Sequence, residues 1–598
     1  MRTFAKITKI LSTWIAIPIC QELPFFCLMV ILMFFSHFLW EVSDNALPMS
    51  IMQWRNIGIA LSISVFMAWG LAVILWYRPN KAVKSLLYAI SLLLMFIDLF
   101  LFFNFSTLLS PWVLLLIKET NGGESSEFVN HYLLTKGSIR SFECLLLFCL
   151  AAFFWEKKWR CIKCTQRLEH VIAIIATPFL ILGAYLFWQS TRLVTMQTQY
   201  DFEIWQEGHG HYAKQNTPIN LLYSIRYLHL SGQDNEKAIH VCQAASCQPA
   251  FCTEHDSLTV VLVIGESFNK WHTPLYGYYL NTTPQLCTLR DRGNLFVFQD
   301  VVAPYNMTTF SVKNILSTNS IADNEPWYAK PSFPIIFKKA GFHVSMWDNQ
   351  RPTDTEVSSY DYALGSYMYA REILPISYCE YNTRTYEYDL SLTQTCKQHL
   401  EKQQSQGHCH RLSLYIFHLM GQHSYAAWRF PPSKELQVFK SSDIMRDDLD
   451  ESEKQIIADY DNATHYNDLV IGSIVDMFKD KPSLMIYLSD HGEEVYDYRH
   501  FLGRTHERKK SRENLRYQYE IPFVLWCSDR YINAHPQQIE AIHQALNKPA
   551  TSDDVAHMLF SLAAIQTSYY QERRDLLSPN YNVGKRILQG FIDYDNLN

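Results

Sequence analysis

Glu266, Asp490 and His491 are the residues of this chain whose types and placement most directly suggest chemistry. Gly265-Glu266-Ser267 follows the apolar run 258–264 (LTVVLVI), and Ser489-Asp490-His491-Gly492-Glu493-Glu494 follows 484–488 (LMIYL). Two carboxylates and one imidazole form a hard-to-borderline donor set that suits Zn²⁺ or a comparable divalent ion, with a position left for a reacting oxygen. A lone Glu at a strand end serves as often as a helix cap or a salt-bridge partner. An SDHG directly after a buried strand is much rarer as mere structure, so the combination carries the metal reading. A nucleophile is offered by 304–311 (PYNMTTFS), where 309–317 (TFSVKNILS) can begin a helix. A hydroxyl at that N-terminus sits where backbone N–H groups and the helix dipole favour anions such as phosphate. A divalent ion could lower its pKa and shield charge on a transferred group. Thr308 and Thr309 both fit this description, and either could simply cap the helix.

These residues need a scaffold that brings them together. Short apolar runs at 258–264, 295–300 (LFVFQD), 342–347 (FHVSMW), 412–417 (LSLYIF), 484–488 and 522–526 (PFVLW) alternate with helical or polar segments. Continuous apolar strands of this kind predict a mostly parallel sheet covered on both faces, an α/β/α sandwich. Ligands of open α/β sheets bind outside the carboxyl ends of the strands. The run 412–417 ends at His418, with His423 five residues on, and 342–347 ends at Asp348-Asn349-Gln350. Four strands therefore deliver carboxylates, imidazoles or amides at one end.

The other part of the chain is a different material. Among the 598 residues, 1–190 are dominated by apolar runs, five of which are long enough to cross the ~30 Å hydrocarbon core as helices: 22–40, 57–76, 85–104, 139–155 and 169–188. Arg2, Lys6 and Lys9 precede the first; Arg78, Lys81 and Lys84 join the second to the third; Lys157, Lys158, Arg160, Lys163 and Arg167 join the fourth to the fifth. The remaining connections carry Glu41 and Asp44, then Glu119, Glu124 and Glu127. By the positive-inside rule the N-terminus is cytoplasmic and residues 190–598 are exported. The expected layout is a membrane domain at 1–190, a connector with amphipathic helices at 191–257 and a catalytic domain at 258–598. Eight of the fourteen cysteines fall in the exported part, so disulfides are expected to be permitted there. The Cys161/Cys164 pair lies in a basic loop without a second pair and reads as incidental. Asp98 inside the third span marks either a functional spot or the bundle interior. A net charge of −6 argues against general nucleic-acid binding.

Taken together, VIGES with LYGY and TTP following, then TTFSV, WDNQ, HxxGxH and SDHGEE, resemble the alkaline-phosphatase/sulfatase superfamily. Within it they resemble the bacterial phosphoethanolamine transferases that modify lipopolysaccharide. SDHGEEVYD and IPFVLW look most like the branch acting on core heptose. The resemblance implies an enzyme of the bacterial inner membrane with a periplasmic catalytic domain, phosphatidylethanolamine as donor, lipopolysaccharide as acceptor and a divalent metal, Zn²⁺ by analogy. It matches Thr308 to the nucleophile, and Glu266, Asp490, His491 and Thr308 to the metal ligands. It matches His423 to a histidine near the phosphate, His500 or His506 to another, and Asp348 and Asn349 to a pocket-lining segment. Thr120 and Glu124 look like headgroup contacts, although Leu116 stands where relatives often carry Asn. Ala303 and Asn314 stand where the lipid A branch has cysteines. A glycerophosphate transferase or phosphodiesterase of the same fold, or an inactive membrane sensor or scaffold, are the alternatives. A sulfatase is disfavoured, because no C/S-x-P-x-R motif stands at the nucleophile.

Overall fold

The computed structural model describes residues 12–43, 51–105, 108–110, 113–114, 135–159, 165–192, 195–196, 216–323, 325–350, 366–423, 425–498, 502–504, 511–582 and 584–597. The chain divides into two compact units, Met1–Gln233 and Asp234–Asn598.

In the first unit, α1 (Leu23–Ser43), α2 (Ile51–Tyr77), α3 (Lys81–Phe105), α4 (Lys136–Trp159) and α5 (Gln166–Thr191) are each long and apolar enough to cross a membrane. These are the five expected spans. At 1.5 Å per residue the 21 residues of α1 rise about 32 Å, enough for the hydrocarbon core. α4 runs beyond the apolar stretch 139–155 because its polar ends, Lys136 onward and Glu156-Lys157-Lys158, continue the same helix. Asp98 belongs to the bundle interior. It is fully buried and accepts hydrogen bonds from Ser36 Oγ (3.0 Å), Thr217 Oγ1 (2.8 Å) and the Leu109 amide (2.8 Å). Every oxygen of a costly intramembrane carboxylate is thereby used within the protein.

The unit boundary falls inside α6 (Thr217–Ser246), a helix of 30 residues. Its buried residues Ile219, Tyr223, Tyr227, Leu230, Asp234, Ala238, Cys242 and Ala245 recur at spacings of three and four, the period of one helix face.

The second unit is built on a seven-stranded sheet: β1 (Leu258–Gly265), β2 (Leu295–Phe298), β3 (His343–Asp348), β4 (Glu380–Tyr381), β5 (Leu412–His418), β6 (Ser483–Ser489) and β7 (Phe523–Cys527), in the order β2-β7-β6-β1-β5-β3-β4. Only β7 among these runs antiparallel to its neighbours. All six expected strands are in this sheet; the short β4 is an addition. Burial explains the unbroken apolar runs. Along β1, Val260, Leu262 and Ile264 enter one core, and Val261 and Val263 enter the other. The first core contains Val312 and Ile315 of α7 (Thr308–Ile315). The second contains Leu392 and Cys396 of α8 (Asp389–Ser405) and Ile471, Ile474 and Phe478 of α9 (Glu451–Phe478).

Register then places the chemistry. Ile264 is level with His418 and Leu488, Gly265 with Ser489, and Asp348 with His418. The residues after these points emerge side by side at the carboxyl end of the central strands. The disulfides that export would permit do not form: Cys242, Cys247, Cys252, Cys287, Cys379, Cys396, Cys409 and Cys527 are all free thiols. Cys242, Cys396 and Cys527 are instead spent as small buried apolar side chains.

Candidate active site

The turn after β1 is tight. Ser267 adopts the left-handed conformation (φ +57°), which costs a non-glycine residue about 1–2 kcal/mol and is held only where the surroundings dictate it. Here the Ser267 amide donates to Asp490 Oδ1 (3.1 Å), its carbonyl accepts from the Tyr460 hydroxyl (2.6 Å), and the Phe268 amide donates to Ser489 Oγ (2.9 Å). From the other side the loop after β5 presses on Glu266. A Cβ on Gly421 would lie 2.8 Å from the Glu266 carbonyl oxygen, and Gly421 has φ +47°, so the central glycine of HxxGxH is required twice over.

Thr308 is the first residue of α7, and Met307 before it is extended. Thr308 Oγ1 donates to Glu266 Oε2 (2.9 Å) and stands 3.2 Å from His491 Nε2. Between the two threonines that spacing left open, Thr308 is the one directed at the carboxylates. The donor atoms of Glu266, Asp490 and His491 lie within 4.8 Å of one another, and all three residues are buried.

Whether a cation fits there can be judged from proton positions. His491 Nδ1 faces the Gly492 carbonyl at 2.9 Å and must carry the hydrogen, so Nε2 presents a lone pair. That nitrogen lies 3.1 Å from Asp490 Oδ2 and 3.4 Å from Glu266 Oε1. Asp490 Oδ2 is buried without a hydrogen-bond donor among the described residues. Acceptors facing acceptors in a dry site are what a cation resolves, and the donor set fits a divalent ion. Ionisation follows the same logic. Burial opposes charge on Glu266, but His491, His423 and Arg504 outweigh it and hold its carboxyl well below the ordinary range. Burial, and then the Glu266 charge, push Asp490 far up. Burial and the Arg504 charge press His491 down to about 3, so it is a neutral imidazole.

Several further groups surround the cluster. Arg504 directs Nη1 at His491 Nε2, pairs with Glu493 (3.1 Å) and donates to the Asn306 carbonyl (3.3 Å). His423 is buried; Arg429 donates to its Nδ1 (2.9 Å) and to its carbonyl (3.2 Å). Gln350 Nε2 lies 3.2 Å from Glu266 Oε2. Its neighbours Asp348 and Asn349 are directed elsewhere. Asp348 takes His418 Nδ1 (2.9 Å), the Tyr369 hydroxyl and the Gln350 amide (2.7 Å); Asn349 bonds Asp389 (2.8 Å) and the Tyr386 amide (2.6 Å). Burial opposes charge on His418, but the Asp348 carboxylate prevails and raises its pKa. This pair braces the ends of β3 and β5. His500, His506, Thr120 and Glu124 lie outside the described residues. Gln350, Arg429 and Arg504 were not anticipated. Gln350 had a signal in its place directly after Asp348-Asn349, whereas the arginines have none.

A family model described as Sulfatase matches residues 259–565, and the chain belongs to that family. Within it, phosphoethanolamine transferase EptC of Escherichia coli is 28% identical over 353 residues, 57% of this chain and 57% of the relative. Phosphoethanolamine transferase EptA of Helicobacter pylori is 31% identical over 292 residues, 48% and 51% of the two chains. The matches therefore span about half the length of these relatives. The integral membrane lipooligosaccharide phosphoethanolamine transferase A of Neisseria meningitidis has a similar fold, with a TM-score of 0.58 at 16% identity, over 94% of this chain and 98% of that one. The resemblance read from the motifs stands.

Proposed function

We propose that the chain transfers phosphoethanolamine from phosphatidylethanolamine to lipopolysaccharide, at a core heptose, through a covalent intermediate on Thr308. Glu266, Asp490, His491 and Thr308 would hold a divalent cation, with Zn²⁺ suited to the donors. One observation carries the reading: a hydroxyl at a helix N-terminus donates to a buried carboxylate inside a ready-made ligand cluster. The transferred group comes from the names the relatives share, and the acceptor from the SDHGEEVYD and IPFVLW wording. In this reading 1–190 is the membrane domain of the bacterial inner membrane, 191–257 a connector and 258–598 the periplasmic catalytic domain.

A bound cation supplies charge, lowering the pKa of the Thr308 hydroxyl and neutralising phosphoryl oxygens. Thr308 Oγ1 gives its proton along the bond to Glu266 Oε2 and attacks phosphorus. The bond from phosphorus to the glycerol oxygen breaks, and that oxygen takes a proton from solvent as diacylglycerol leaves. Arg429 donates to His423 Nδ1, which leaves the neutral ring with its hydrogen on Nε2, where it would donate a hydrogen bond to a phosphoryl oxygen. In the second half a sugar hydroxyl attacks phosphorus and releases its proton to solvent, and Thr308 recovers its own from Glu266. His500 or His506 would assist the phosphoryl oxygens, Asp348 and Asn349 would shape the pocket wall, and Thr120 and Glu124 would contact the headgroup.

The test is to incubate the detergent-purified chain and zinc with phosphatidylethanolamine carrying a fluorescent acyl chain. Diacylglycerol should be released, with a phosphoethanolamine adduct mapped to Thr308 by peptide mass spectrometry. Release from phosphatidylglycerol alone would replace the donor; release from neither would leave the inactive scaffold.

A further inference from the structure

A cavity of about 360 Å³ opens at the carboxyl end of the sheet, over its β2–β7 edge, and nothing in the chemistry above uses it. Its walls are Lys270 and Trp271, just past the Glu266 turn; Asp300, just past β2; and Arg512, Arg516 and Glu520 on or beside α10 (Arg512–Tyr519). Glu513 stands at the rim and accepts from the Tyr498 hydroxyl (3.4 Å).

Both walls are joined to the active site. Lys270 lies four residues from Glu266, and Asn269 next to it bonds the Glu493 carbonyl (2.9 Å). On α10, Gln518 receives the Gly492 amide on its carbonyl (2.9 Å) and Asn306 on its side chain (3.0 Å). One wall therefore continues a ligand turn, and the other supports the ligand His491 and the loop of Thr308.

The lining carries three cations, Lys270, Arg512 and Arg516, and three anions, Asp300, Glu513 and Glu520, but they are unevenly paired. Asp300 is paired with Arg586 (2.6 Å), and Glu520 takes Lys270 (3.3 Å) and the Tyr594 hydroxyl. Arg512 is only 3.9 Å from Glu520 and half exposed. Arg516 has no carboxylate partner among the described residues. Its guanidinium lies 3.8 Å from the centre of the Trp271 ring. Arg516 Nε and Trp271 Nε1 are both buried without an acceptor among the described residues. Two orphan donors, one of them on a guanidinium without a carboxylate partner among the described residues, and an aromatic ring call for a ligand rich in acceptor oxygens that carries negative charge and has a ring to set on the indole.

We propose that this cavity is the acceptor subsite and takes a phosphate-bearing sugar of the glycolipid. Arg516 swings from the indole onto the phosphate, and the freed Trp271 N–H and ring face receive the sugar. The inference rests on the transferase reading for the acceptor's identity, and it assigns to these residues the second half-reaction only.

Two measurements test it on the full chain in detergent. In the first, deacylated core oligosaccharide is titrated by calorimetry into the Thr308→Ala variant, which cannot turn over. Trp271→Phe, which keeps the ring and loses the donor, should raise Kd about fivefold, and Arg516→Gln about tenfold or more. Removing the sugar's phosphates should abolish the Arg516 effect and leave that of Trp271; inorganic phosphate alone should bind weakly and only with Arg516 present. In the second, the same substitutions in the Thr308 chain should leave diacylglycerol release unchanged while raising KM for the oligosaccharide. Equal binding by the parent and both variants would overturn the subsite. Parallel loss of diacylglycerol release would also overturn it, marking a structural role. Unimpaired sugar binding with no diacylglycerol release from the parent would instead sink the transferase reading and keep the subsite.

Discussion

The second unit holds two buried groups of the same composition, one imidazole between two carboxylates, and they behave in opposite ways. In the first, His272 bonds Asp461 through Nδ1 (2.7 Å) and Asp497 through Nε2 (3.1 Å), and Tyr278 donates to the remaining Asp461 oxygen (2.8 Å). Burial works against charge on His272, but the two carboxylates carry its pKa up to about 10. It is an imidazolium, and the group is closed. In the second, His491 spends its one hydrogen on Gly492 and turns a lone pair toward Asp490 and Glu266. Arg504 answers that lone pair, but Asp490 Oδ2 has no donor among the described residues, so this group stays open to a cation. Residue type does not separate a clamp from a site; what separates them is whether the hydrogens present suffice for the acceptors present.

The largest expected effects come from the open group. Thr308→Ala should lower transfer on the order of 10⁴-fold or more, because no other step substitutes for the lost nucleophile. Asp490→Asn should do comparable damage to turnover yet raise the metal-free melting temperature by about 1–3 °C, since it removes the like-charge conflict with Glu266. A chelator should lower the melting temperature of the parent chain and leave Asp490→Asn unmoved. A metal-free melting temperature that falls on this substitution would show that the group is closed after all, and the comparison would fail.

The closed group should respond in stability. His272→Ala strands the buried Asp461 and the partly buried Asp497, a loss of about 3–5 kcal/mol, which for a unit of this size is a drop of roughly 5 °C in melting temperature that zinc does not repair. An unchanged melting temperature would remove His272 as a clamp. A smaller effect is its pH dependence. A histidine whose folded pKa is raised stabilises fully below its ordinary value near 6.5 and loses that contribution as pH climbs toward 10. Asp461 opposes part of this, since burial pushes its own carboxyl up despite His272. The gap in melting temperature between parent and His272→Gln should therefore be constant below pH 6.5 and shrink between about 6.5 and 10; a gap that widens with pH would reverse the assignment.

The same contrast explains what could be read from the chain alone. The strands were legible because burial on both faces leaves an apolar run with no alternation, and their shared end was legible because polar residues follow each run directly. Glu266, Asp490, His491 and the TTFS segment carried local signals of that kind. Spacing did not choose Thr308 over Thr309, which only the family resemblance did, because one residue turns a helical side chain by about 100° and the position of Glu266 decides which hydroxyl meets it. His272 was passed over since its partners, Asp461 and Asp497, lie 189 and 225 residues away. The exported cysteines misled because an even count permits disulfides without placing any two thiols together.

The smallest effect tests the finest part of the contrast, the tautomer. In the open group a carbonyl fixes the hydrogen of His491; at His423 a guanidinium fixes the lone pair, since Arg429 can only donate. Arg429→Gln keeps a donor of shorter reach and removes the charge, so His423 is held less firmly in the form that donates its Nε2 hydrogen to a phosphoryl oxygen. Diacylglycerol release should slow about tenfold, with zinc content and melting temperature unchanged, and Arg429→Lys should recover only part of it because a single ammonium cannot bond ring and carbonyl together. Equal rates in all three chains would mean that His423 needs no outside donor to choose its tautomer, and the hydrogen bond to the phosphoryl oxygen would then pass to a histidine elsewhere in the loop after β6.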